Sequence, residues 1–329
     1  MKRFLKYIAV MALGITSLTI RAQTDVQMSQ YFEVPSYFNP AATGLEDRLR
    51  IHAGSRLQWI GIDNAPKLFM ATADMPVKLF GKRLGVGLTA RQSSEGLFRN
   101  LTIGAQASYK VRLFKGELGV GIQLGYTNEV FKGSKVFLPD DDDYHEGDDD
   151  AIPTTDVSGG ALDMGAGLWY THRWFYVGIG GQHLNAPTIK FGDDLQTSEG
   201  TDSEKRYEFQ VRRTLYFTAG SNIPIKNTLF EVMPSMMFKT DLDFWRAELT
   251  GRIRYKKFLT AGIGYRHDDA VVAILGAEFK GFYIGYSYDY PISAINKASS
   301  GSHEITAGYS LKLDFSEKNK NKHKSIRIM

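Results

Sequence analysis

The residues of this chain that could do chemistry point to fixed charge rather than to bond-making. One group is the acidic run Asp140, Asp141, Asp142, Asp143, Tyr144, His145, Glu146, Gly147, Asp148, Asp149 and Asp150. Calcium is a hard cation that takes several oxygen ligands, which makes this run a candidate Ca²⁺ site. Against that, the run lacks the spacing of a twelve-residue calcium loop, and blocks of like charge are usually solvated. A second group puts Arg48, Arg50 and Arg56 on one parity of one segment and Arg246, Glu248, Arg252 and Arg254 on one parity of another. Such a face selects anions or receives an acidic segment, unless it pairs internally with carboxylates such as Glu248, Asp74 and Asp289, which is the simpler reading. The 7 histidines are scattered, with His52 and His303 reading as lumen or interface residues. No nucleophile elbow, phosphate loop or His-Glu-x-x-His is present, and no helix pattern follows the glycine run at Gly178. The expectation is a protein that is not an enzyme and carries no cofactor beyond the Ca²⁺ candidate. With 0 cysteines, disulfide scaffolds and thiolate metal sites are excluded.

The elements that must hold these charges are strands. Leu118, Val120, Ile122, Leu124 and Tyr126 share one parity, while Gly119, Gly121, Gln123, Gly125 and Thr127 fill the other. Successive strand residues point to opposite faces, so one face is apolar and the other small or wet. Repeated in roughly ten-residue pieces between turn signals, this is the pattern of a transmembrane β-barrel. The expected architecture is an all-β antiparallel transmembrane barrel of about 14 strands. Their approximate spans are 46–60, 68–76, 84–92, 100–113, 117–129, 161–171, 174–183, 206–221, 228–239, 244–255, 258–267, 270–279, 282–290 and 303–315. The charged parity should face the lumen, because Arg or Lys on the lipid face costs about 2–4 kcal/mol at the midplane. Arg213 departs from the alternation and marks an interface or a bulge. Long connections at 130–160, 184–205 and 291–302 contrast with short ones such as Lys256-Lys257, so both termini are expected in the periplasm.

The first 22 residues read as a secretory signal: Lys2, Arg3 and Lys6, an apolar core, then Ala22. They hold four of the 40 basic residues (with Arg21) and no acidic one, so removing them leaves 36 to balance 36 acidic residues. The net charge of +4 therefore belongs to the signal, and no nucleic-acid partner is implied. The division is residues 1–22 signal peptide, 23–45 periplasmic N-terminal segment, 46–315 outer-membrane barrel and 316–329 basic periplasmic tail.

Two linked motifs carry a resemblance. Ser29-Gln30-Tyr31 followed by Asn39-Pro40-Ala41 and Gly44, then Gln58-Trp59-Ile60-Gly61 leading to Pro66, resembles the PorP/SprF family of type IX secretion membrane proteins. Departures are Ala42-Thr43 where an aromatic followed by Ala is common, the acidic run, and the basic tail. The resemblance implies an outer-membrane barrel that docks, delivers or anchors secreted surface proteins such as gliding adhesins. Its implied partners are outer-membrane lipid, type IX cargo or its C-terminal domain, and the periplasmic ring lipoprotein components. Bottom-up, the aromatic stretch around Tyr31 and Tyr37 needs shelter in the periplasmic mouth or the lumen, or else packs under the barrel. Trp59 fits an outer aromatic girdle. The alternative function is a channel for small or hydrophobic solutes, since fourteen strands leave room for a lumen.

Overall fold

The computed structural model describes residues 26–79, 81–136, 153, 155–191 and 207–314. The signal segment, the acidic run 140–150 with its Ca²⁺ candidates, and the basic tail 316–329 lie outside the described residues.

The strands are β1 (Arg48–Leu57), β2 (Lys67–Leu79), β3 (Lys82–Glu95), β4 (Phe98–Leu113), β5 (Gly116–Lys132), β6 (Asp156–Thr171) and β7 (Phe175–Gln182). They continue as β8 (Thr188–Phe191), β9 (Tyr207–Gln210), β10 (Thr214–Ser221), β11 (Ile223–Pro224), β12 (Phe230–Thr240) and β13 (Trp245–Tyr255). The last are β14 (Leu259–Arg266), β15 (Ala270–Phe279), β16 (Phe282–Pro291) and β17 (Ser302–Lys312). Each wall strand pairs antiparallel with its sequence neighbour in the wall, β1 pairs with β17, β7 pairs with β10 across the departing β8–β9 connection, and β10 pairs with β12. The sheet therefore closes into a 14-strand barrel, with β11 a short extension that pairs with β12. Closure leaves the 14-strand wall without an edge, as a lipid-exposed sheet requires.

The alternation becomes two surfaces. Val120, Ile122, Leu124 and Tyr126 face outward, while Gln123 and Thr127 are buried inside. On β13, Leu249 and Ile253 face outward against the buried Glu248 and Arg252. The wall is thus apolar outside and polar inside, the reverse of a water-soluble core.

One expected strand is corrected. The span 206–221 is broken: β9 pairs with β8 in a separate two-stranded sheet, and the wall resumes only at Thr214. Phe209 and Val211 pack on Val157, Ile189 and Phe191, drawing the chain off the wall to bury that cluster. Arg213 lies in the connection, where its Nε donates to the Leu184 carbonyl at 2.9 Å. It marks the break rather than a bulge.

Candidate functional site

The lumen is occupied by the chain's own leading segment. Val26, Met28, Tyr31, Val34, Tyr37 and Phe38 form one buried apolar cluster with wall residues Leu68, Met70, Tyr216 and Met237. The part of 23–45 that is described thus lies inside the barrel rather than beneath it.

Local sequence explains its path. Pro35–Phe38 makes one helical turn, with Pro at its start, where a missing N–H costs nothing. Asn39 is extended, the conformation a following proline favours, and its Oδ1 accepts from Ala41 N at 2.9 Å to cap the 3₁₀ turn Pro40–Ala42. Its Nδ2 donates to the Leu168 carbonyl at 2.9 Å, tying the cap to the wall. Gly44 has φ +62°, and a Cβ there would stand 2.6 Å from Gly85 Cα, so only glycine fits where the plug meets the wall.

The plug is clasped by buried charge. Ser29 N and Gln30 N donate to the two Glu304 carboxylate oxygens, each at 2.8 Å. Ser29 Oγ donates to Asp289 at 2.8 Å and accepts from Arg266 at 2.7 Å and Arg56 at 3.1 Å. Arg56 bridges Asp289 at 2.7 Å and Glu304 at 3.3 Å, while Arg266 bridges Glu248 at 2.8 Å and Asp289 at 2.9 Å. The Tyr31 hydroxyl donates to Ser235 Oγ at 3.0 Å.

Internal pairing also accounts for the other arginines singled out by parity. Arg50 pairs with Asp74 at 2.8 Å, Arg252 with Glu33 at 3.3 Å, Arg246 with Asp269 at 3.5 Å and Arg48 with Glu46 at 3.4 Å. Arg254 pairs with Glu231, and Arg252 also lies over the Phe32 ring. The free positive lumen is not what these residues make.

Above the plug, at the end of the barrel bearing the long connections, lies a cavity of about 880 Å³. It is walled by aromatics including Trp59, Phe98, Phe209 and Phe244 and by Arg91, Arg212 and Arg246. At its side His183 donates from Nδ1 to Asp163 at 2.7 Å and meets Arg91 through Nε2. Arg91 also donates to Gln182, whose amide donates to the Tyr37 carbonyl, so this array couples the cavity to the plug. Val26, the first described residue, lines the cavity, while β1 begins and β17 ends at the opposite, short-turn end. The leading segment therefore runs back through the lumen.

The profile of the type IX secretion system membrane protein PorP/SprF family matches residues 20–309, which take in the plug and the wall from β1 into β17. The chain belongs to the PorP/SprF family. As a PorP/SprF protein it is an outer-membrane barrel and a membrane component of type IX secretion. No curated protein matches it. Among solved structures it is similar to a FadL homologue of Pseudomonas aeruginosa, with 11% identity and TM-score 0.48 over 84% of this chain and 93% of that one. It is also similar to the toluene transporter TbuX of Ralstonia pickettii, with 11% identity and TM-score 0.47 over 84% and 92%. A third is the outer membrane protein Omp33 of Acinetobacter baumannii, with 6% identity and TM-score 0.44 over 82% and 100%.

The PorP/SprF motif residues separate into two places. Ser29, Gln30, Tyr31, Asn39, Pro40 and Gly44 build the plug and its seat. Gln58, Trp59, Gly61 and Pro66 lie on the β1–β2 connection, where Gln58 N donates to the Pro66 carbonyl at 2.9 Å and Gly61 holds φ +102°. Trp59 lines the cavity with φ +52°, so it is a vestibule residue and not a girdle residue: the chain turns inward there. Sequence reasoning missed Arg91, Asp163, His183, Arg266 and Glu304. For Arg91, Asp163, Arg266 and Glu304 the signal was present as charge on the small-residue parity of apolar strands; His183 lies past the end of β7 with φ +54° and carried no such signal.

Proposed function

We propose that this PorP/SprF protein is a non-enzymatic dock that holds secreted type IX cargo, gliding adhesins included, at its long-loop end. The supporting observation is the plug. It fills the lumen with hydrogen-bonded and ion-paired side chains and leaves the cavity on the long-loop side as the space open to a partner. Barrels of this class carry short turns toward the periplasm and long loops outside, which puts the vestibule on the cell surface. A cavity of about 880 Å³ lies within the roughly 300–1,000 Å³ of ordinary ligand sites, enough to seat an anchoring segment of a larger protein. The short-turn end then meets the periplasmic apparatus.

The test is affinity purification of the solubilised barrel from its native membrane, wild type beside a Phe209→Ser/Phe244→Ser variant, with mass spectrometry of what stays bound. The wild type should retain a large secreted protein and the variant should lose it, while both remain heat-modifiable barrels. Recovery of the wild-type barrel alone, with steady conductance in planar bilayers, would overturn the dock and favour a solute channel.

A further inference from the structure

The connections at the two ends of the barrel differ in charge. Six connections join strands at the short-turn end, and none of residues 80–81, 114–115, 172–174, 222–229, 256–258 and 280–281 is acidic. Lys115, Arg173, Lys226, Lys256 and Lys280 each stand in one of five, and Lys82 opens the strand after the sixth. All six are exposed. At the other end Asp63, Asp241, Asp243, Asp268 and Asp269 stand in the connections beside Lys135, Arg212, Arg213 and Lys297, so acids and bases are mixed there.

Turn geometry does not explain the lysines. Lys115 (φ 64°), Lys256 (φ 52°) and Lys280 (φ 51°) occupy left-handed positions that asparagine or glycine adopt with less strain. Their surroundings are more informative. Lys82 stands 5.6 Å from the Tyr109 ring centroid, Arg173 4.8 Å from Trp174, Lys256 5.3 Å from Tyr255 and Lys280 5.2 Å from Phe279. These four rings are exposed on the outward surface. Aromatic rings at a barrel's ends sit at the level of the lipid headgroups. A cation resting on such a ring is held on the outer circumference, at the height of lipid phosphates, instead of pointing along the barrel axis toward a soluble partner.

We propose that the short-turn rim is a ring of binding sites for the phosphate headgroups of anionic phospholipid. The ring fixes the depth of the barrel in that leaflet through cation–phosphate pairs, independently of what the vestibule holds. Such contacts are electrostatic and weaken as salt rises.

The experiment offers delipidated, detergent-solubilised full-length protein an equimolar mixture of phosphatidylglycerol and phosphatidylcholine and reads the retained lipid by native mass spectrometry. Three proteins are compared: wild type, a K115Q/R173Q/K256Q/K280Q variant, and a K132Q/K135Q/K190Q/K297Q variant that loses the same charge at the long-loop end. Wild type should retain phosphatidylglycerol preferentially, and the rim variant should lose that preference, by roughly fivefold per removed cation at low salt. The long-loop variant should keep it. Lys280→Gln alone provides the comparison if the fourfold variant does not fold. Equal retention of both lipids by wild type would overturn the proposal and leave the ring to an acidic protein face. An undiminished preference in the rim variants, or an equal loss in the long-loop variant, would overturn it as well.

Discussion

Ser29 illustrates how single residues work in this lumen. Its hydroxyl is the meeting point of two arginines and Asp289, and its backbone N–H shares the Glu304 carboxylate with that of Gln30. A buried acid that accepts two backbone N–H groups and faces an arginine cannot be removed without leaving donors and positive charge unpaired in a confined space. Glu304→Ala should therefore lower stability by about 3–5 kcal/mol, read as a shift of the urea midpoint for barrel unfolding in detergent micelles. Glu304→Gln, which keeps one carbonyl acceptor, should lose less. The motif Ser29-Gln30 was legible as a motif, and Asp289 was legible as a partner for arginine. That Glu304 and Arg266 complete the clasp was not, because they lie more than 230 residues away in the chain and nothing local brings them to Ser29.

At the scale of elements, strands and plug are built for one another. Gly85, Gly119, Gly121, Gly167 and Gly180 all lie where a Cβ would run into residues 38–44, so the wall is thinned along the track that the plug follows. At Gly121 a methyl would meet the backbone of Pro40 and Ala41, which cannot swing away as a flexible side chain can. Gly121→Ala should unseat this stretch and raise the frequency of channel openings in planar bilayers above that of the wild type. It should also lower stability by about 1–3 kcal/mol, the usual cost of overpacking. In the sequence these glycines read correctly as small lumen-facing residues. Their use as a cradle was illegible, since a small residue facing water and one facing a second backbone look alike. The strand pattern itself was readable nearly throughout. It failed at 211–213, where an apolar cluster outside the wall outweighed continued pairing.

For the whole molecule, closure and a filled lumen make the two ends unequal, with a vestibule at one and tight basic turns at the other. Because the chain has 0 cysteines, single-cysteine variants report orientation cleanly. Asp268→Cys, on an exposed long-loop-end turn, should react with a membrane-impermeant maleimide on intact cells. Lys256→Cys, on an exposed short-turn-end turn, should react only after the outer membrane is permeabilised. The reverse pattern would place the vestibule in the periplasm and remove the cell-surface dock.

The sequence alone determined the barrel, its approximate strand number, the sidedness of each strand and the family, because a pleated strand between lipid and water writes its environment into every second residue. Only the tertiary structure decided that the leading segment returns through the lumen, that the arginines are paired, and that Trp59 faces a cavity. Those outcomes depend on which distant residues meet across a closed ring, and alternation within a strand carries no record of what stands on the opposite wall.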